Sequence, residues 1–168
     1  MVYNKYIKKR KTQTKRKGID IMKTTIYFDM DGTIADLYNC DNWLASLLAE
    51  QTKPYRQAKS MVDMKALGKV LNTLQSKGYD LGIVSWLCKN GTAEYNARVT
   101  KTKKEWLAKH LGAVTFDEVH IVEYGTPKHT VVSNPLGILF DDEIGNRNNW
   151  TGTAYDVHDI LGTLTSLL

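Results

Sequence analysis

The chain has 168 residues, 42% hydrophobic and 24% charged, with a formal net charge of +5. That length supports one domain with a core, and the composition excludes wholesale disorder. No apolar stretch approaches the roughly 18 residues of a membrane span, no signal-peptide core follows the basic start, and Cys40 and Cys88 lack metal-ligand spacing, which together point to reduced thiols and a cytoplasmic location.

The charge is unevenly placed. Residues 1–21 contain Lys5, Lys8, Lys9, Arg10, Lys11, Lys15, Arg16 and Lys17 against Asp20, a charge of +7, so the remainder carries −2. Residues 1–21 read as a basic disordered tail. Three readings stay open for it: an arm that binds nucleic acid through phosphates, a solvated tail without function, or a stretch outside the native product, with Met22 as the start.

Residues 22–168 alternate strand and helix patterns, which favours a parallel sheet. A first strand at 24–29 is apolar and β-branched, and it ends in Asp29-Met30-Asp31-Gly32-Thr33. Two carboxylates then flank one small volume at a strand's carboxyl end, where α/β sheets bind ligands. Their repulsion invites a hard divalent cation such as Mg²⁺. Gly32 suits a sharp turn, and Thr33 offers a hydroxyl to the loop. A helix is predicted over 41–51, capped by Asp41, with Trp43, Leu44, Leu47 and Leu48 as its apolar face. A short helical piece follows at 55–60. The next helix spans 64–77, capped by Asp63 and ended by Gly78. Strand two is 79–85, and a polar loop at 88–99 leads to a helix over 100–111. Strand three is about 118–122, a short helix starts near Pro127, and strand four is 136–141. Residues 144–150 read as loop, strand five as 153–156, and Asp159 caps a last helix over 160–167. The predicted fold is α/β, a three-layer sandwich around a five-stranded parallel sheet. Asp29, Asp31, Ser85, Asp141 and Asp142 lie at the ends of predicted strands and gather on one rim.

With these motifs in place, the chain resembles haloacid dehalogenase-superfamily phosphohydrolases, whose sheet is Rossmann-like. The resemblance rests on Asp29-Met30-Asp31-Gly32-Thr33, Ser85 after Gly82-Ile83-Val84, Lys128 before strand four, and Asp141-Asp142 after Ile138-Leu139-Phe140. It implies that Asp29 attacks phosphorus to form an aspartyl-phosphate, and that Asp31 protonates the leaving oxygen and later activates water. Mg²⁺ would be held by Asp29, the backbone carbonyl of Asp31 and Asp142, with Asp141 acting through water or orienting a ligand. Ser85 would donate to a phosphoryl oxygen, and Lys128 would supply charge to the transferring group and to Asp29. Lys89 and Lys103 compete for the lysine role but do not precede strand four.

Family caps select substrates, and residues 34–62 leave room for a minimal helical one. The pattern is similar to the 5′(3′)-deoxyribonucleotidase branch, which implies a nucleotide or similar small phosphoester. Trp86, counted with the phosphate-binding residues, and Tyr55 and Trp43 are placed to stack on a base, though Trp43 also reads as core. Arg56 and Arg147 are candidates for a second charged group. The alternatives are a polynucleotide 3′-phosphatase, favoured by the basic tail, and a catalytically silent binding protein on the same fold. No sequence feature specifies an oligomeric state.

Overall fold

Thr25–Phe28 is buried along its whole length, as a strand covered on both faces must be. It forms β1 of a computed structural model that describes residues 23–168. The reading of residues 1–21 as a tail lies outside the described residues. The elements that follow are β2 (Ala35–Asp36), α1 (Trp43–Leu48), α2 (Lys53–Gln57), β3 (Lys59–Ser60), α3 (Met64–Ser76) and β4 (Asp80–Trp86). After them come α4 (Ala93–Leu111), β5 (Glu118–Val122), β6 (Ile138–Phe140), α5 (Ile144–Asn149), β7 (Thr153–Tyr155) and α6 (Ile160–Thr165). A 3₁₀ turn at Lys128–Thr130 precedes β6.

Five strands form one parallel sheet in the order β5-β4-β1-β6-β7. Ile26 is registered between Leu81 and Ile138, which puts β1 at the centre. From β1 the chain builds outward through β4 and β5, then returns to add β6 and β7 on the other side. The strand order therefore reverses beside β1, and the crevice outside such a reversal is where open α/β sheets hold ligands.

The two faces differ. Ile26, Phe28, Leu81, Ile83 and Phe140 pack with leucines of α3 and α4 and with Ile160 and Leu164 of α6. Leu67, Leu71 and Leu74 follow the helical period on α3, and burying each contributes about 2 kcal/mol. Asp63 starts this helix by accepting from the amides of Lys65 and Ala66. On the opposite face Tyr27, Val84 and Leu139 meet Trp150, Val131 and Val132. The third layer is therefore thin, made of the 131–132 segment and the residue following α5.

Four expectations are corrected. α4 begins at Ala93 and not at residue 100, because Thr92 caps it by accepting from the Tyr95 amide. Residues 144–149 are helical despite their polarity, and bury nothing. α1 is shorter than 41–51, and its N-cap is Asn42 in a left-handed conformation, with no side-chain cap bond. Only half of its apolar face is covered: Leu47, with Trp43 against it, packs with Leu37, Tyr55, Tyr95 and Val99, but Leu44 and Leu48 are 53% and 78% exposed. The segment 34–62 also pairs β2 with β3 in a small antiparallel ribbon. Among the described residues, no helix is long and apolar enough to cross a membrane.

Candidate active site

The centre is built where β1 and β6 end side by side. The Asp29 amide donates to the Phe140 carbonyl, so the two strand ends are tied at the point where their carboxylates emerge. Lys128 lies between those carboxylates, with Nζ donating to Asp29 Oδ1 at 2.7 Å and to Asp141 Oδ2 at 2.6 Å. All three side chains are buried. Burial pulls the Lys128 ammonium down, but Asp29 and Asp141 outweigh it and leave its pKa raised. Two of its three N–H groups are engaged by these carboxylates.

Asp141 is fully buried. Its Oδ1 accepts from the Glu143 amide, and the Asn146 side chain donates to both of its oxygens. It therefore holds Lys128 and the following loop in place. Arg147, a candidate for a second substrate charge, instead donates to the carbonyls of Asp141 and Asp142 and pairs with Asp156. Those bonds hold the loop and leave the guanidinium turned away from a ligand. Arg56 reaches Thr52 and does not line the cleft.

Asp142 is fixed by Thr33, whose hydroxyl donates to its carboxylate and accepts from its amide. Oxygens of Asp29, Asp141 and Asp142 lie within 4.8 Å of one another. Gly32 makes that approach possible: its φ is +75°, and a Cβ there would stand 2.4 Å from Asp142 Oδ2. Burial, then Asp29, pushes Asp141 up to about 6. Burial, then Asp29 and Asp141, pushes Asp142 up to about 7. Three crowded carboxylates are the donor set that a hard divalent cation suits.

The Asp31 carboxylate is not part of that set. It turns away to Lys103, whose Nζ lies 2.7 Å from its Oδ2. Burial, with Asp29 nearby, outweighs Lys103 and leaves its pKa raised. Lys103 also donates to Ser85 Oγ at 3.0 Å and to the Trp86 carbonyl at 2.6 Å. Sequence reasoning weighed Lys103 only as a rival to Lys128. The signal that finds it is helical phase, because Tyr95, Val99, Lys103 and Trp106 form one buried stripe of α4.

Above the centre opens a cleft of about 520 Å³. Two aromatic pairs line it. Tyr38 and Trp43 meet edge to face with centroids 5.0 Å apart, and Trp86 and Tyr124 lie 4.9 Å apart. Tyr55 and Leu47 complete the apolar wall. Trp86 is not placed as a phosphate donor: its indole N–H is engaged by the Thr126 carbonyl, and it offers only a ring face, with Lys128 Nζ 5.3 Å from the centroid.

The fold is similar to a chain of the Pnkp1/Rnl/Hen1 RNA repair complex, at 16% identity and a TM-score of 0.51. The match covers 88% of this chain and 47% of that one, so this chain spans less than half the length of that neighbour. D,D-heptose 1,7-bisphosphate phosphatases from Burkholderia thailandensis and B. bronchiseptica, the latter complexed with magnesium and phosphate, align at 8% and 9% identity, with TM-scores of 0.49 and 0.48. These cover 86% of this chain and 98% and 97% of theirs. At 16% identity the likeness to the first of these chains is one of fold. No family model and no curated protein matches the sequence.

Proposed function

We propose that the chain is a phosphomonoesterase of the haloacid dehalogenase type, acting on a nucleotide or similar small ester. The observation that carries this reading is the pairing of two carboxylates one residue apart with two different buried lysines, Asp29 with Lys128 and Asp31 with Lys103. A turn or solvated surface has no reason to bury two ammonium groups.

In this reading Asp29 attacks phosphorus, the bond from phosphorus to the leaving oxygen breaks, and Asp31 delivers a proton to that oxygen. Water then attacks the aspartyl-phosphate, Asp31 takes its proton, and phosphate departs with Asp29 restored. The raised pKa of Asp31 suits the first proton transfer. Lys128 holds Asp29 oriented and directs its remaining N–H at the transferring group. Mg²⁺, held by Asp29, Asp142 and the backbone carbonyl of Asp31 with Asp141 behind them, would offset the repulsion between nucleophile and substrate. Residues 34–62 serve as a minimal cap, and their aromatic side chains favour a flat leaving group such as a nucleoside.

A second reading, a nucleic-acid end phosphatase, draws on the basic segment 1–21 and on a cleft whose rim residues Leu48 and Tyr124 are exposed. The cleft itself favours the smaller substrate. Among the described residues, Lys89 and Lys128 are the basic side chains that line it, and a polyanion is held by many more cations than that.

The test is a Mg²⁺-dependent phosphatase screen over nucleoside monophosphates, sugar phosphates and 3′-phosphorylated oligonucleotides, with Asp29→Asn as control. Hydrolysis of monophosphates that disappears in Asp29→Asn, with an unchanged circular dichroism spectrum, is expected. Activity confined to oligonucleotides would move the assignment to the second reading.

A further inference from the structure

Lys103 is the most deeply buried ammonium beneath the cleft, with its side chain 1% exposed. A buried ammonium is costly unless every N–H finds an acceptor. Here all three do: Asp31 Oδ2, Ser85 Oγ and the Trp86 carbonyl. This separates it from Lys128, which has two acceptors among the described residues. Lys103 has nothing left for a substrate, yet of its three acceptors Asp31 is the acid of the proposed reaction and Ser85 is the hydroxyl expected to meet the phosphoryl group.

Each contact removes a choice. An ammonium can only donate, so Ser85 Oγ accepts from it and the Ser85 hydroxyl proton must point elsewhere. Ser85 is buried on β4 beside β1, and among the described residues no acceptor takes that proton, which leaves it to a phosphoryl oxygen held at Asp29. Asp31 is held through Oδ2, which leaves Oδ1 to face the leaving oxygen. The Trp86 carbonyl anchors the end of β4, from which Ser85 and the Trp86 ring are presented. The same ammonium lies 5.2 Å from the Tyr55 ring centroid, so α2 of the 34–62 segment is seated on it as well.

Resting on the phosphatase reading above, we propose that Lys103 is a positioning residue. It fixes which oxygen of Asp31 meets the leaving group, and it makes Ser85 a donor to the phosphoryl group, without touching substrate itself. Lys128 serves the nucleophile and Lys103 serves the acid.

The role is read from leaving-group dependence. A p-nitrophenolate departs without a proton, whereas an alkoxide needs one. Lys103→Met is therefore expected to lower kcat/KM roughly 100-fold on the best alkyl monoester of the screen and by less than about tenfold on p-nitrophenyl phosphate. In an Asp31→Asn background, which also removes the carboxylate left unpaired by the single change, Lys103→Met is expected to affect both esters alike. Equal losses on the two esters in the single variant would overturn the proposal, and so would a selective loss that persists in the double variant.

A readout without turnover is the binding of inorganic phosphate with Mg²⁺, followed by tryptophan fluorescence. Misdirecting Ser85 is expected to weaken it about tenfold in both the single and the double variant, and unchanged binding would overturn the proposal. A native protein that binds phosphate but hydrolyses no ester would refute the phosphatase reading while leaving this binding comparison to decide on Lys103. A native protein that binds no phosphate would overturn both.

Discussion

Gly32 shows how far one missing Cβ governs the centre. It permits the left-handed turn after Asp31 and the approach of Asp142, two demands met by the same residue. Gly32→Ala is expected to destabilise the fold by about 1–3 kcal/mol through backbone strain. It is also expected to push Asp142 out of reach of Asp29, so that calorimetry finds Mg²⁺ binding lost or greatly weakened. Wild-type Mg²⁺ affinity in that variant would mean that Asp142 is not a ligand. At this scale the sequence is legible where a residue's position is set by the strand before it. Asp29, Ser85 and Asp141 follow buried apolar runs, and the structure brings them to one rim. Lys103 is not legible in that way, because it sits in Lys101-Thr102-Lys103-Lys104, which reads as a solvated helix surface. Only its phase with Tyr95, Val99 and Trp106 marks it as inward.

Among the elements, α1 departs most from its sequence reading. Trp43, Leu44, Leu47 and Leu48 have the spacing of a core-facing stripe, but the helix has six residues and its stripe lines the cleft. Periodicity reports that a face is apolar and says nothing about what covers it. The start of α4 was hidden for a different reason: its first turns are polar, and the inward face includes Thr102 and Lys103, which blur the hydrophobic period. The strands were the most legible part, since β1, β4 and β6 are buried apolar runs. α1 is not a loose flap. Glu50, just beyond it, accepts from both the amide and the hydroxyl of Thr92, and the Tyr95 hydroxyl donates to the Gln51 carbonyl. Residues 34–62 are thus bolted to α4 and form a fixed wall. Trp43→Ala is then expected to raise KM for a nucleoside monophosphate about tenfold, the worth of one stacking contact, and to leave kcat and glycerol phosphate hydrolysis unchanged. A fall in kcat with KM constant would count against a role in binding the leaving group.

For the molecule as a whole, the crowding of carboxylates links protons, metal and stability. Burial and Asp29 raise Asp141 to about 6 and Asp142 to about 7, both above the value near 3.9 of an unfolded chain. A carboxyl that binds its proton more tightly when folded favours the fold at low pH, and that contribution is lost as pH rises through the folded value. The metal-free protein is therefore expected to melt at a lower temperature at pH 8 than at pH 5. Mg²⁺ should raise the melting temperature at pH 8 and have little effect at pH 5, where protons already occupy the site. Thermal melts with and without Mg²⁺ at the two pH values check this, and equal stabilisation at both would show that the ion binds elsewhere.

The central strand also sets an order of assembly. β1 gains one neighbour from β4, about 55 residues later, and the other only from β6, whose Ile138 pairs with Ile26 across more than a hundred residues. During synthesis the first half of the sheet can form while one edge of β1 stays bare and Asp29 stands without Lys128. Asp29, the proposed nucleophile, is thus made before the rest of the centre and equipped last, and between the completion of β4 and that of β6 the chain can be folded in part but chemically unarmed.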